Sequence, residues 1–311
     1  MKVSIIGAGN VGTTCAAEIA EREIVEEVIL LDIHEGIPEG KALDICEASP
    51  IQNFETRIEG VSNDYSATAN SNIIVIAAGL PRKPGMSRDD LTKMNALIVR
   101  DVTRLAIAHS RGAIIIVVSN PLDIMTYVAY RTSGLSANRV FGMAGILDTA
   151  RYKSFIAREL NISPKSIHAV LLGGHAETMV PLVRYTSVAG IPVTELLSKD
   201  RLEKIIERTR QGGTELVNLM GTSAWYAPAS ATAQMVEAVV KNSRRVFPVS
   251  ALLNGEYKLT GIFMGVPIVL GRNGVEKIIN LQLTEEELKL VHHSAEHIRQ
   301  QIMAVNSMNI F

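Results

Sequence analysis

Four short apolar runs set the rhythm of the first half of the chain. Val3–Ile6, Val28–Leu31, Ile73–Ala77 and Ile114–Val118 are rich in Ile and Val and apolar on both faces. Strands of that kind are covered by helices on both sides, as in a parallel sheet, rather than half-exposed. Helix-like stretches lie between them: Val11–Arg22, Glu39–Ala48, Asp89–His109 and Ile124–Thr132. This alternation predicts a doubly wound α/β domain that holds ligands at the carboxyl ends of its strands.

After about Met143 the texture changes. A helix is expected over Asp148–Leu160, strands over Ser166–Leu172 and Val180–Val183, and long helices over Leu202–Leu219 and Ala229–Lys241. Val246–Leu252, Ile262–Leu270 and Val275–Ile279 read as an antiparallel set, punctuated by Asn254-Gly255 and Asn273-Gly274. Thr284 and Glu287 form a capping box opening a last helix that reaches about Met303. A chain of 311 residues is long for one core. The expected division is a doubly wound domain over 1–143 and an α+β domain over 144–311, packed directly on it.

The turn behind the first apolar run narrows the chemistry. Gly7-Ala-Gly9-Asn10-Val11-Gly12 follows Ile6 at once, and Asp32 closes the second run. In such a turn the first Gly permits a tight bend, the second lets a pyrophosphate approach the backbone, and the third lets helix and strand pack closely. The helix start then offers unpaired N–H groups and a positive dipole end to phosphate. A carboxylate at Asp32 accepts from ribose hydroxyls and repels a 2′-phosphate, so the motif selects NAD over NADP. The first domain therefore reads as a dinucleotide-binding Rossmann domain.

Composition excludes several alternatives. The chain is 47% hydrophobic and 20% charged with net charge −1, so nothing points to nucleic acid or an anionic membrane. No apolar run approaches the roughly 18 residues that a membrane span needs. Cys15 and Cys46 lack partners at metal spacing and fit free thiols in a reducing compartment. The sequence enters a strand at once, without a signal-peptide pattern. A cytoplasmic protein is expected.

Four further stretches carry candidate chemistry. Gly79-Leu-Pro81-Arg82-Lys83-Pro84-Gly85-Met-Ser-Arg88 reads as a hinged basic loop at a strand end, suited to close over an anion. Ser119-Asn120-Pro121 places an amide at the next strand end. Asp148 and Arg151 share a helix face at spacing i, i+3. Gly173-Gly174-His175 puts an imidazole behind two glycines that allow close approach. Taken singly, each also fits a plainer reading: a solvated loop, an Asn-Pro turn, a surface ion pair and a structural histidine.

Taken together they resemble the lactate/malate dehydrogenase family along essentially the whole chain. The shared pattern is Gly7-x-Gly9-x-x-Gly12, Asp32, Ala78-Gly79 with the arginine loop, Ser119-Asn120-Pro121, Leu147-Asp148-x-x-Arg151, Gly174-His175 and Tyr226-Ala227-Pro228. The resemblance implies NAD as cofactor, met by Gly7, Gly9, Asn10, Val11, Gly12, Asp32, Gly79, Asn95, Val118 and Asn120. It implies that His175 moves the proton and that Asp148 orients and charges the imidazole. Arg88 would polarise the substrate carbonyl, Arg151 would hold the neighbouring carboxylate, and Asn120 would fix the carbonyl and the nicotinamide end. It also implies a homo-oligomer, dimer or tetramer, and an activity of the kind the citric-acid cycle uses.

Within that pattern, Arg82 occupies the position that reads the far side of the ketone. A guanidinium there suits the second carboxylate of oxaloacetate through bidentate hydrogen bonds. Pyruvate would leave it enclosed and unpaired, and ~3 kcal/mol from that source discriminates over a hundredfold. Ala224, small where lactate-specific members are bulkier, leaves room for a longer substrate. Met220-Gly221-Thr222 departs from the usual pattern and puts Ser223 in doubt as a substrate contact. The expected reaction is reversible hydride transfer between malate and NAD. The rivals are a lactate or other 2-hydroxyacid dehydrogenase and a catalytically silent NAD-binding protein; the second would not need His175, Asp148, Arg88 and Arg151 together.

Overall fold

The computed structural model describes residues 1–80, 88–175 and 178–311. Its first half is β1 (Lys2–Ile6), α1 (Asn10–Glu21), β2 (Glu27–Asp32), α2 (Ile37–Gln52), β3 (Arg57–Ser62), β4 (Ile73–Ile76), α3 (Arg88–His109), β5 (Ile114–Val117), α4 (Leu122–Ser133) and β6 (Val140–Gly142). These strands are parallel in the order β3-β2-β1-β4-β5-β6. β4 and β5 are buried along their whole length, which is why they show no polar alternation. α1 packs through Gly12, Cys15, Ala16, Ile19 and Ala20, a stripe at three- and four-residue spacing. The order of strand addition reverses between β1 and β4, so a crevice opens between their carboxyl ends.

The second half runs α5 (Gly145–Leu160), β7 (Ile167–His168), β8 (Leu171–Gly173), β9 (Met179–Pro181), β10 (Ser187–Val188), β11 (Ile191–Pro192), α6 (Val193–Leu196), α7 (Lys199–Met220), α8 (Tyr226–Val240), β12 (Arg245–Asn254), β13 (Thr260–Gly271), β14 (Gly274–Ile278) and α9 (Glu285–Asn306). The expected antiparallel set is β12, β13 and β14. It prolongs the first sheet instead of standing apart: β12 meets β6 through one register pair, Ser250↔Gly142, and the order continues to β13, β8 and β9. The expected strand over Ser166–Leu172 is two short strands in two sheets, because β7 pairs with β10 while β8 pairs with β13 and β9. The expected strand over Val180–Val183 ends at Pro181, and Val183–Tyr185 turns as a 3₁₀ segment.

The α9 capping box is present: Glu287 N donates to Thr284 Oγ1, and Thr284 N donates to a Glu287 carboxylate oxygen. One large core unites the long sheet with α1, α4 and α8. A second, separate cluster lies under α5 and α7, built on Tyr152, Ile156, Ile167, Leu171, Met179 and Leu202.

Candidate functional site

Four strand ends supply the cofactor-side residues: Gly7 to Gly12 after β1, Asp32 at the end of β2, Gly79 after β4, and Val118 to Asn120 after β5. The three glycines have different physical causes. Gly7 sits at φ +110°, and a Cβ there would come within 2.7 Å of Ala78 N. A Cβ at Gly12 would lie 1.9 Å from the Gly7 carbonyl oxygen. A Cβ at Gly9 would meet nothing within 4 Å. The chain's own packing therefore explains Gly7 and Gly12 but not Gly9, and the open space above Gly9 is what a pyrophosphate at the start of α1 requires. That fits a dinucleotide.

Asp32 holds two positions at once. Its Oδ2 accepts from Ala8 N at 2.7 Å inside the glycine turn, and its Oδ1 pairs with His34 Nδ1 at 2.7 Å. Burial pushes the carboxyl up, but the His34 and Ala8 hydrogen bonds outweigh it and hold the group below the usual carboxylate range. It is an anion where a ribose edge would lie. Lys41, not singled out from the sequence, donates to Ala8 O at 2.6 Å and adds a cation beside the turn.

Asn95 works from behind. Only 2% exposed, it accepts from Leu80 N at 2.8 Å and donates to Asn120 O at 2.7 Å. It ties the strand-end segments after β4 and β5 together rather than presenting a free amide.

The reaction side is built on α5 and on the residues following β8. His175 Nδ1 lies 2.8 Å from Asp148 Oδ2, and Arg151 Nη1 lies 3.6 Å from Asp148 Oδ1. With Asp148 2% and Arg151 11% exposed, the plain reading of a surface ion pair does not hold. Burial alone would lower the imidazole, but Asp148 raises it by charge and by hydrogen bond, and the net direction is up. Asp148 takes Nδ1, which leaves Nε2 available for proton exchange. A cavity of about 250 Å³ lies in front, lined by Asp89, Asn120, Asp123, His175, His297 and Gln301 among others.

Three contributors were not visible in the sequence. Asp123 Oδ2 accepts from His175 N at 3.0 Å. Ser294, on α9, accepts from Gly174 N at 2.7 Å and donates to Thr178 at 3.0 Å. Gly212, on α7, leaves room for Arg151: a Cβ would lie 2.3 Å from Arg151 Cδ. Each is a contact between segments far apart in the chain, without a local signal. Arg82 lies outside the described residues, and Arg88 is described as the first residue of α3.

A glycine turn with open space at Gly9 and an anionic Asp32 beside it, together with a carboxylate–histidine pair and a largely covered arginine, fits the class of nicotinamide-dependent dehydrogenases. The chain belongs to the lactate/malate dehydrogenase family: residues 1–142 match its NAD binding domain and residues 146–308 its alpha/beta C-terminal domain. It is 60% identical over 300 residues to a malate dehydrogenase of Cytophaga hutchinsonii, covering 96% of each chain. The solved malate dehydrogenase of Salinibacter ruber superposes with TM-score 0.96 at 49% identity, covering 99% of each. The lactate dehydrogenase of Cryptosporidium parvum, solved with lactic acid and the nicotinamide cofactor, superposes with TM-score 0.94 at 34% identity, covering 98% of each. The backbone alone thus does not separate the two substrates.

Proposed function

We propose that this chain is an NAD-dependent malate dehydrogenase. The observation that carries the reaction class is the His175–Asp148–Arg151 arrangement on the crevice. The choice of malate is supported by the identity to malate dehydrogenases and by Arg82 at the substrate-reading position of the sequence.

Gly7, Gly9, Asn10, Val11, Gly12, Asp32, Gly79, Val118 and Asn120 hold the dinucleotide, with Asn95 bracing the last of them. When bound, the nicotinamide accepts or supplies the hydride. Arg151 takes the carboxylate beside the reacting carbon, Arg88 polarises the carbonyl and Arg82 pairs with the distal carboxylate. His175, protonated, gives Nε2–H to the forming alkoxide in oxaloacetate reduction and takes it back in malate oxidation. Asp148 stabilises the charged imidazole throughout.

The division between nucleotide and catalytic halves is set at 143/144. A homo-oligomer is part of the same reading. α2 buries only Pro38 and Ala42 and leaves Leu43 60% and Ile51 78% exposed, an apolar face suited to a second copy. Free thiols at Cys15 and Cys46 support the cytoplasm as compartment. No helix of the described residues is long and apolar enough to cross a membrane.

The test is NADH oxidation with oxaloacetate against pyruvate. Preference for oxaloacetate by at least a hundredfold in kcat/KM is expected, and Arg82→Gln should remove most of it. Equal turnover of pyruvate, or an Arg82→Gln variant that keeps the preference, overturns the substrate assignment.

A further inference from the structure

A second carboxyl group, on a different helix from Asp148, contacts the main chain of the catalytic histidine. Asp123 sits in the first turn of α4, three residues after Asn120, and is 6% exposed. Its Oδ2 accepts from the backbone N–H of His175 at 3.0 Å. Its Oδ1 accepts from Ser250 Oγ at 2.6 Å, on β12. Ser250 is fully buried and forms the lone register pair that joins β12 to β6. One side chain therefore ties the strand end that presents Asn120, the segment that carries His175, and the seam between the two halves of the sheet.

We propose that Asp123 is a positioning residue for His175: it fixes the histidine main chain so that the ring keeps its hydrogen bond to Asp148. The proposal rests on the dehydrogenase reading of this site and adds a residue to it.

Both carboxyl oxygens of Asp123 are engaged. The His175 N–H can only donate, which occupies Oδ2 as an acceptor. At Oδ1 the Ser250 hydroxyl can donate to a carboxylate or accept from a protonated carboxyl, so the clamp holds in either form. Burial, the largest effect, and the charge of Asp148 push the Asp123 carboxyl up, Ser250 and the His175 N–H pull it down, and the net direction is up. Asp123 in turn raises His175, behind the larger effect of Asp148. Among the described residues, the other charged or titratable groups around the imidazole are Asp148 and Arg151 on α5, Asp89 on α3 and His297 on α9. Of these described groups, Asp148 and Asp123 bond directly to His175, one to its ring and one to its main chain. The ring is thus held by a carboxylate on α5 and the main chain by a carboxyl on α4, and neither reaches both parts of the residue.

The experiment uses the full chain and reads the imidazole without turnover. His175 is titrated by NMR of its ring C–H in the NADH-bound protein, for the unaltered chain and for Asp123→Asn. The variant should bind NADH within about twofold, lose roughly ten- to a hundredfold in kcat/KM for oxaloacetate, and titrate lower by about one pH unit. An unchanged imidazole midpoint overturns the proposal, as does unchanged turnover. Should Asp123→Asn not fold, Ser250→Ala weakens the same clamp: several-fold loss of kcat/KM with intact NADH binding supports the proposal, and full activity overturns it. Failure of the unaltered chain to reduce oxaloacetate would count against the substrate reading and leave the NMR result to judge Asp123.

Discussion

The substitution Gly212→Ala separates what helix chemistry favours from what the site tolerates. Replacing glycine by alanine inside a helix stabilises it by roughly 0.5–1 kcal/mol. At position 212, however, the new Cβ lies 2.3 Å from Arg151 Cδ, 2.6 Å from Nε and 3.2 Å from Cζ. Ordinary contact begins at 3.4 Å, so the side chain must retreat by roughly 1.1 Å (3.4 − 2.3). Arg151 has little freedom to do so, being 11% exposed and ion-paired with Asp148. A misplacement of about 1 Å in a positioning group costs on the order of a hundredfold, or about 2.7 kcal/mol of transition-state stabilisation. The expected result is a protein with unchanged or slightly higher Tm, unchanged NADH affinity, and kcat/KM for oxaloacetate lowered ten- to a hundredfold. Gly213→Ala, whose Cβ meets nothing within 4 Å, is the matched control and should keep full activity. Steady-state kinetics with thermal unfolding on the two variants decides it. If Gly212→Ala is as active as Gly213→Ala, the Arg151 guanidinium does not hold the substrate.

The raised imidazole predicts opposite pH profiles for the two directions. Oxaloacetate reduction needs the protonated ring, so its kcat/KM should persist above pH 6.5 and fall as pH rises through the His175 midpoint, while malate oxidation rises through the same midpoint. The same linkage gives a stability contribution that is complete below the unfolded histidine value and lost as pH climbs through the folded one; parallel profiles in the two directions would refute the assignment. Asp32→Asn removes the negative charge beside the glycine turn, which on the proposed reading discriminates against a 2′-phosphate. The NADH/NADPH preference should shrink at least tenfold, about 1.4 kcal/mol. That is a modest part of the roughly 4 kcal/mol between unit charges 4 Å apart near a protein surface; an unchanged ratio would show that Asp32 does not set it.

How much of this was legible in the sequence follows from where each signal resides. β1, β2, β4 and β5 are buried on both faces, so their apolar runs stand out, and their observed ends fall within a residue of expectation. β3 is an edge strand with Arg57, Glu59 and Gly60 in it, and β6 is three residues long, so neither has a periodic signature. The break between β7 and β8 is decided by pairing partners far along the chain, which local hydropathy does not encode. The glycine turn and Asp32 are local motifs and were read directly. Asp148, Arg151 and His175 were read as candidates and given roles through the family pattern. Asp123, Gly212 and Ser294 act only through tertiary contacts and carry no local mark. The assignment of Arg82 rests on the sequence.

The division of buried side chains into two clusters bears on how the protein loosens. The glycine turn and Asn120 border the large core. Arg151 instead projects from the stretch of α5 whose Tyr152 and Ile156 belong to the small annex shared with α7. Regions with fewer buried neighbours open at lower free energy than the rest. Warmth or mild urea would therefore make the protein forget its ketoacid while it still recognises its dinucleotide, and adaptation to a new growth temperature could retune the one by repacking the annex without disturbing the other.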